Sequence, residues 1–243
     1  MDADHYDLSG LVERLEGMAD EGYRELSRTV VPGVNAPVLG VRVPRLRALA
    51  REILRGDWRG FLEGSRGGSL LELSMLHAIV LGGARCDFSE RQALLTAFLP
   101  HVDNWDVCDT LCASYKPAAA EREALFDYLV ECAASGHTYT KRFGLVMMMS
   151  RYRDEAHLDR VLNVYRRFSH PDYYARMAAA WGLATLYLSR PEDVLSILQS
   201  GALDAFTRGK ALQKLRESYR VSDEDKAMLK SLRTQNEAAC EHE

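Results

Sequence analysis

Apolar residues recur at helical spacing along almost the whole chain, and the helices that this spacing predicts come in pairs at a fixed interval. No segment of strand length alternates convincingly between apolar and polar residues. Punctuation by Pro and Gly predicts where the helices begin and end. Acidic helices over Leu11 to Leu26 come first. Pro44 fits a first helical turn, and Leu46, Leu49, Ala50 and Ile53 form the apolar stripe behind it. After the flexible stretch Gly64-Ser65-Arg66-Gly67-Gly68, Ser69 is expected to cap a helix through about Leu81. Further helices are expected over 89–99, 103–113, 118–133, 137–152, 156–168, 172–188, 191–198, 207–219 and 222–232. The first helix of each pair begins near Ser69, Asp103, His137, Asp172 and Ala205, roughly every 34 residues. A helix pair of that length cannot bury its apolar face alone, so neighbouring pairs must stack. The expected fold is therefore all-α, an α-solenoid of antiparallel helix pairs with one concave face, and a compact all-α bundle is the alternative. One domain over residues 1–233 is expected, with acidic helices and a loop at 1–39, a repeat core at 40–233 and a flexible tail at 234–243.

Composition bears on what such a fold can bind. Of 243 residues, 31 are Lys or Arg and 35 are Asp or Glu, so the net charge is −4 and no bulk positive field announces a polyanion partner. Any nucleic-acid face must come from local asymmetry. The first thirty residues carry eight acids against Arg14, Arg24 and Arg28, whereas Arg42 to Arg59 holds six arginines against Glu52 and Asp57. A second basic stretch, Arg208 to Arg233, holds eight Lys or Arg against four acids. The sign of the charge changes along the chain, as one basic surface on an acidic protein requires. Five cysteines without a CxxC pair favour a reducing compartment. Met1 to Gly10 lacks the basic and apolar regions of a secretory signal, and Phe143 to Met149 is too short to span a bilayer. These features are read as a cytoplasmic protein.

Most chemical motifs fail. No HExxH, no clustered metal ligands, no phosphate loop ending in GK[ST] and no GxSxG elbow is present. Cys108 and Cys112, four apart, read as core packing, and Met147-Met148-Met149 reads as a buried inner helix. The segment Asp103-Asn104-Trp105-Asp106-Val107-Cys108-Asp109 is different. Trp105 and Asp109 share a helix face, and an indole beside a carboxylate is an odd pair for a dry core. The plainer reading has Asp103 capping the helix, Trp105 packing and Asp109 bridging to an arginine of the next pair. Arg142 begins the next layer, and Trp181 follows an Ala run in the layer after it. Three successive layers thus offer an aromatic with a carboxylate, a cation and another aromatic. On a concave face these would converge into one cleft.

Five blocks in order resemble the DNA alkylation repair family of HEAT-like repeat proteins: Gly40-Val41-Arg42-Val43-Pro44-Arg45-Leu46-Arg47, the Asp103 to Asp109 segment, Lys141-Arg142-Phe143, Tyr173 to Trp181, and Thr207-Arg208-Gly209-Lys210-Ala211-Leu212-Gln213-Lys214. The likeness spans about residues 20 to 233. It implies a solenoid whose concave, basic face holds duplex DNA, alkylated or otherwise modified, and excision of N3- or N7-alkylated purines without metal or cofactor. It also implies that Trp105, Asp109 and Trp181 lie close to the lesion sugar and Arg142 near the backbone. A monomer, associated with the nucleoid when bound to DNA, is expected.

The basic residues fit phosphate contacts, which position a duplex and make affinity salt-dependent. Lys210 and Lys214 are one turn apart on a helix expected to begin at Thr207, whose N-terminus could receive a phosphate. Arg42, Arg45, Arg47 and Arg176 are further contacts in this reading. One departure from the family stands out. Its glycosylases carry an N-terminal helix that helps enclose the lesion, whereas Pro32, Gly33 and Pro37 exclude such a helix here, and the helices upstream are acidic. Two readings stay open: a DNA glycosylase, or a non-catalytic repeat protein that binds DNA structures or a protein partner.

Overall fold

The computed structural model of the chain describes residues 6–31 and 36–230. The expected tail at 234–243, and Pro32 and Gly33 of the expected loop, lie outside the described residues. Among the described residues there are α-helices, short 3-10 turns and no strand. The chain divides into two compact units, residues 1–128 and 129–243.

The first unit contains α1 (Leu8–Glu16), α2 (Glu21–Val30), α3 (Val43–Ile53), α4 (Trp58–Gly64), α5 (Leu71–Gly83), α6 (Phe88–Phe98) and α7 (Trp105–Ser114), and the unit boundary falls inside α8 (Arg122–Ala134). The second contains α9 (Thr138–Arg151), α10 (Glu155–Arg166), α11 (Tyr173–Leu186), α12 (Pro191–Gln199) and α13 (Ala205–Glu217), followed by a helical stretch at 223–230. Short acidic or amide side chains start most of them. Asp7, Asp20, Asp57, Asp87 and Asn104 in the first unit each accept a backbone N–H from the first helical turn, as do His137, Asp172 and Asp204 in the second. Pro44 and Pro191 occupy first turns, where a missing N–H costs nothing.

Within each unit the longer alternate helices pack on one another. In the first unit α3 lies on α5 and α5 on α7; in the second α9 lies on α11 and α11 on α13. This layered packing of alternate helices makes each unit a helical repeat. Among the inner helices α5 is nearly apolar on all sides, as burial on all sides requires: Leu71 to Leu73 and Met75 to Gly82 are buried, and so are Met147, Met148 and Met149 of α9. In the second unit the small residues Ala178, Ala179, Ala180 and Gly182 of α11 let Tyr165 of α10 insert. A methyl group at Gly182 would lie 2.1 Å from the Tyr165 hydroxyl, which itself donates to the Leu145 carbonyl at 2.8 Å.

Three local expectations are corrected. Ser69 does not cap α5, which starts behind Leu70 with no side-chain cap. The cap of α7 is Asn104, whose amide oxygen accepts the Val107 N–H at 3.0 Å while its NH2 donates to Asp103. The short helix α4 fills a stretch where no helix was expected, because seven residues with a Gly in the middle carry little periodicity.

Candidate functional site

Asn104 fixes the first turn of α7, and that turn sets the faces of Trp105, Asp106 and Asp109. All three are half-buried, whereas Val107, Cys108, Leu111 and Cys112 face the core. The helix thus turns one apolar side inward and keeps an indole and two carboxylates at its margin. Burial raises the pKa of Asp106, and the negative charges of Asp109 and Glu72 push it further in the same direction. Asp106 and Glu72 were not singled out in the sequence. A carboxylate three residues from Asp109 and another inside an apolar run belong to no motif that would mark them. Among the described residues no group of three His, Cys, Asp or Glu side chains is placed to hold a metal ion.

Glu72 has a second task. It is 2% exposed, and its carboxylate accepts the backbone N–H groups of Leu39, Gly40 and Val41, the closest at 2.7 Å. The Leu71 N–H donates to the Pro37 carbonyl in the same corner. Gly40 sits at φ +86°, and a side chain there would strike the backbone of α2 at Asp20 and Arg24. The strand of chain before α3 is therefore clamped between α2 and α5. That clamp decides where the first basic run points. Arg42 donates from Nε and Nη2 to Asp20 and covers the Tyr23 ring at 5.0 Å, and Arg45 donates to the Met18 carbonyl. The Tyr23 N–H and the Arg42 guanidinium hold the Asp20 carboxyl below its usual range. Two of the arginines expected to meet phosphate, Arg42 and Arg45, are thus engaged by the acidic N-terminal region, while Arg47 is exposed on α3.

In the second unit, Arg142 is 6% exposed, and its Nη1 donates to the Tyr174 carbonyl of α11 at 3.1 Å. Its neighbour Lys141 is also buried and donates to the Ala133 carbonyl at 2.7 Å, and burial lowers its pKa. Trp181 lies on α11 with 39% of its surface exposed, although Ala178 to Ala180 beside it are fully buried. An indole is therefore presented from a rigid helix. Arg176 stacks over the Phe206 ring at 4.5 Å and approaches Asp204 to 3.6 Å. Lys210 donates to Gln213 and lies 5.9 Å from the same ring, and Lys214 is half-buried with no ion pair among the described residues.

The N-terminus of α13 is not open to a phosphate as expected. The helix starts at Ala205 and Asp204 already caps it, accepting the Thr207 N–H at 3.0 Å and the Thr207 hydroxyl. Burial works against the Asp204 charge, but those bonds and Arg176 outweigh it and hold the carboxyl below its usual range. What surrounds that cap is aromatic. Tyr173, 48% exposed, meets Tyr174 edge-on at 5.1 Å and Phe206 at 5.6 Å. Rings interleaved with Arg176 and Lys210 suit stacking against nucleic acid. The Tyr173-Tyr174 doublet was the visible trace of this cluster in the sequence.

The family model described as DNA alkylation repair enzyme matches residues 11–215. That match covers most of both units. The chain belongs to the DNA alkylation repair enzyme family. No curated protein matches the chain. Membership places this family member in DNA alkylation repair and points to DNA as its partner. Trp105, Asp106 and Asp109 in the first unit, and Arg142, Tyr173, Trp181 and Phe206 in the second, all lie inside the matched span.

Proposed function

We propose that the protein binds duplex DNA as a monomer and is a glycosylase that excises purines alkylated at N3 or N7. The observation that carries this reading is the margin of α7, where the Trp105 indole lies beside the carboxylates of Asp106 and Asp109 and burial and like charge raise the Asp106 pKa. Such a margin attracts a cation. An N3- or N7-alkylated purine is cationic and departs as a neutral base, so the reaction asks for no strong general acid. Breaking the N-glycosidic bond builds oxocarbenium character on the deoxyribose. In this reading Asp109 stabilises that developing charge electrostatically and orients the attacking water. An indole face such as that of Trp105 adds about 0.5–2 kcal/mol for a cationic base or sugar. Arg142 and the exposed cations of both units serve the phosphate backbone. We place the protein in the cytoplasm, on the nucleoid when it is bound to DNA.

The test is release of 3- and 7-methylpurines from methylated duplex DNA, with Asp109→Asn as the control. Release by the native protein that Asp109→Asn loses supports the reading. Release no greater than that of the variant refutes the excision step. A second reading, a non-catalytic protein that binds DNA structures or a protein partner, draws on the engagement of Arg42 and Arg45 by the acidic N-terminal helices. It predicts DNA or partner binding with no base release.

A further inference from the structure

The arginine run Arg42 to Arg59 does not act as one surface. Arg42 and Arg45 turn toward α2, and Arg59 pairs with Glu90 at 2.6 Å and stacks on the Trp58 ring at 4.0 Å. Arg51 and Arg55 remain. With Arg85, Leu54, Trp58 and Gly83 they line an open hollow of about 390 Å³ where the ends of α3 and α5 meet the start of α4. All three arginines are exposed, and none has an ion pair among the described residues.

The nearby carboxylates are engaged elsewhere. Glu52 pairs with Arg14 at 2.7 Å, Glu90 pairs with Arg59, and Asp57 and Asp87 cap α4 and α6. Three exposed arginines thus line one hollow with no neutralising partner among the described residues, and their summed positive field favours an anion there. The volume falls in the range of small-ligand pockets, more than a lone ion needs. Leu54 and Trp58 add apolar lining, and Gly83 keeps the hollow open: a methyl group there would come within 2.9 Å of Leu54 Cδ1. Forked guanidinium donors suit phosphate oxygens.

We propose that the hollow framed by Arg51, Arg55 and Arg85 is a phosphate-binding site that takes the phosphodiester backbone of a DNA strand. It uses none of the residues of α7. The phosphate assignment stands on the hollow itself, whereas the choice of DNA rests on the function proposed above.

The test uses the full chain and a variant carrying Arg51→Gln, Arg55→Gln and Arg85→Gln. These exposed side chains have no partner among the described residues, so the melting temperature should hold and the fold is checked directly. Binding of a fluorescent duplex across a salt series should give a plot of log affinity against log salt whose slope is shallower by about 1–3 in the variant. In parallel, pyrophosphate is titrated by calorimetry, with binding expected to the native protein and absent in the variant. If native and variant proteins bind DNA with equal affinity and slope, the site is overturned while DNA binding stands. If the native protein binds pyrophosphate through these arginines but no DNA, the phosphate site survives and the DNA assignment falls. Binding of neither probe overturns the proposal entirely.

Discussion

Acid should unfold this protein through one buried histidine more than through its surface. His77 lies in α5 with 2% exposure, its Nδ1 2.8 Å from the Ser65 hydroxyl and its ring stacked on Phe98 at 4.0 Å. Burial, with smaller contributions from the positive charges of Arg66 and His101, lowers its pKa from 6.5 to about 3. The folded protein therefore keeps His77 neutral down to about pH 3, while the unfolded chain takes up the proton near pH 6.5. Between those values the unfolded state holds more protons, so stability falls as pH falls. One unmatched proton is worth about 1.4 kcal/mol per pH unit. His77 alone thus removes about 2–3 kcal/mol between about pH 6.5 and 4.5, and close to 5 kcal/mol over the whole window. Urea unfolding of the native protein and of His77→Gln measures this, because the carboxylates common to both cancel in the difference. Gln keeps a hydrogen bond for Ser65 but cannot titrate. The stability gap between the two should shift by about 2–3 kcal/mol in favour of the variant over those two pH units. Parallel stability curves would show that His77 is charged in the folded state and would refute the argument.

Three further outcomes follow from the contacts around the site. Glu72→Ala leaves the N–H groups of Leu39, Gly40 and Val41 without their acceptor and should cost about 3–5 kcal/mol. Urea midpoints and amide exchange at those residues report it, and a loss below about 1 kcal/mol contradicts the clamp. Asp20→Asn keeps the helix cap but releases Arg42, so DNA affinity should rise and the salt slope steepen by about 1, with stability changed by less than about 1 kcal/mol. Unchanged DNA binding would mean that Arg42 faces no phosphate. Gly182→Ala drives a methyl group into Tyr165 and should cost about 2–4 kcal/mol in urea unfolding through overpacking and the strained Leu145 bond. A neutral result would mean that α10 and α11 are looser than this packing requires.

The repeat was legible because it is written in local patterns. Helices expected near Ser69, Asp103, His137, Asp172 and Ala205 begin at Leu71, Trp105, Thr138, Tyr173 and Ala205, since apolar spacing and short polar caps act within a few residues of themselves. The buried Met147 to Met149 run and the core-facing Cys108 and Cys112 were readable for the same reason. What escaped depends on contacts far apart in sequence. Glu72 belongs to no local motif, and only the fold brings the N–H groups of residues 39–41 onto it. Six arginines between Arg42 and Arg59 read as one basic surface, yet Arg42, Arg45 and Arg59 are drawn aside by Asp20, the Met18 carbonyl and Glu90, which no local pattern reveals. Trp105 and Asp109 could be assigned to one helix face from the sequence because both belong to one helix. Tyr173 and Phe206, 33 residues apart, met only through the packing of α11 on α13.

Counting cations therefore overstates the basic surface of this chain, and the reason lies in the ends of its helices. Each helix leaves carbonyls unpaired at its C-terminus, and inside a stack these cannot reach water. Arg91 donates to the Leu81 carbonyl at 2.6 Å and to the Ala84 carbonyl at the end of α5, with its guanidinium over the Tyr115 ring. In the second unit Lys141 donates to the Ala133 carbonyl in the last turn of α8. Both place a positive charge where the helix dipole is negative, and both satisfy a carbonyl that would otherwise be buried unpaired. Lys141 and Arg142 are consecutive on α9 but point to different neighbours, one to α8 and the other to the Tyr174 carbonyl of α11. One turn of α9 is thereby tied to the helix before it and to the first helix of the next pair. Arg142 positions α11, the helix that carries Trp181, whatever else it contacts. Loss of its charge would loosen the seat of that indole as well as remove a cation, so a defect in DNA binding alone would not assign Arg142 to phosphate. A defect that Arg142→Lys rescues in stability but not in binding would.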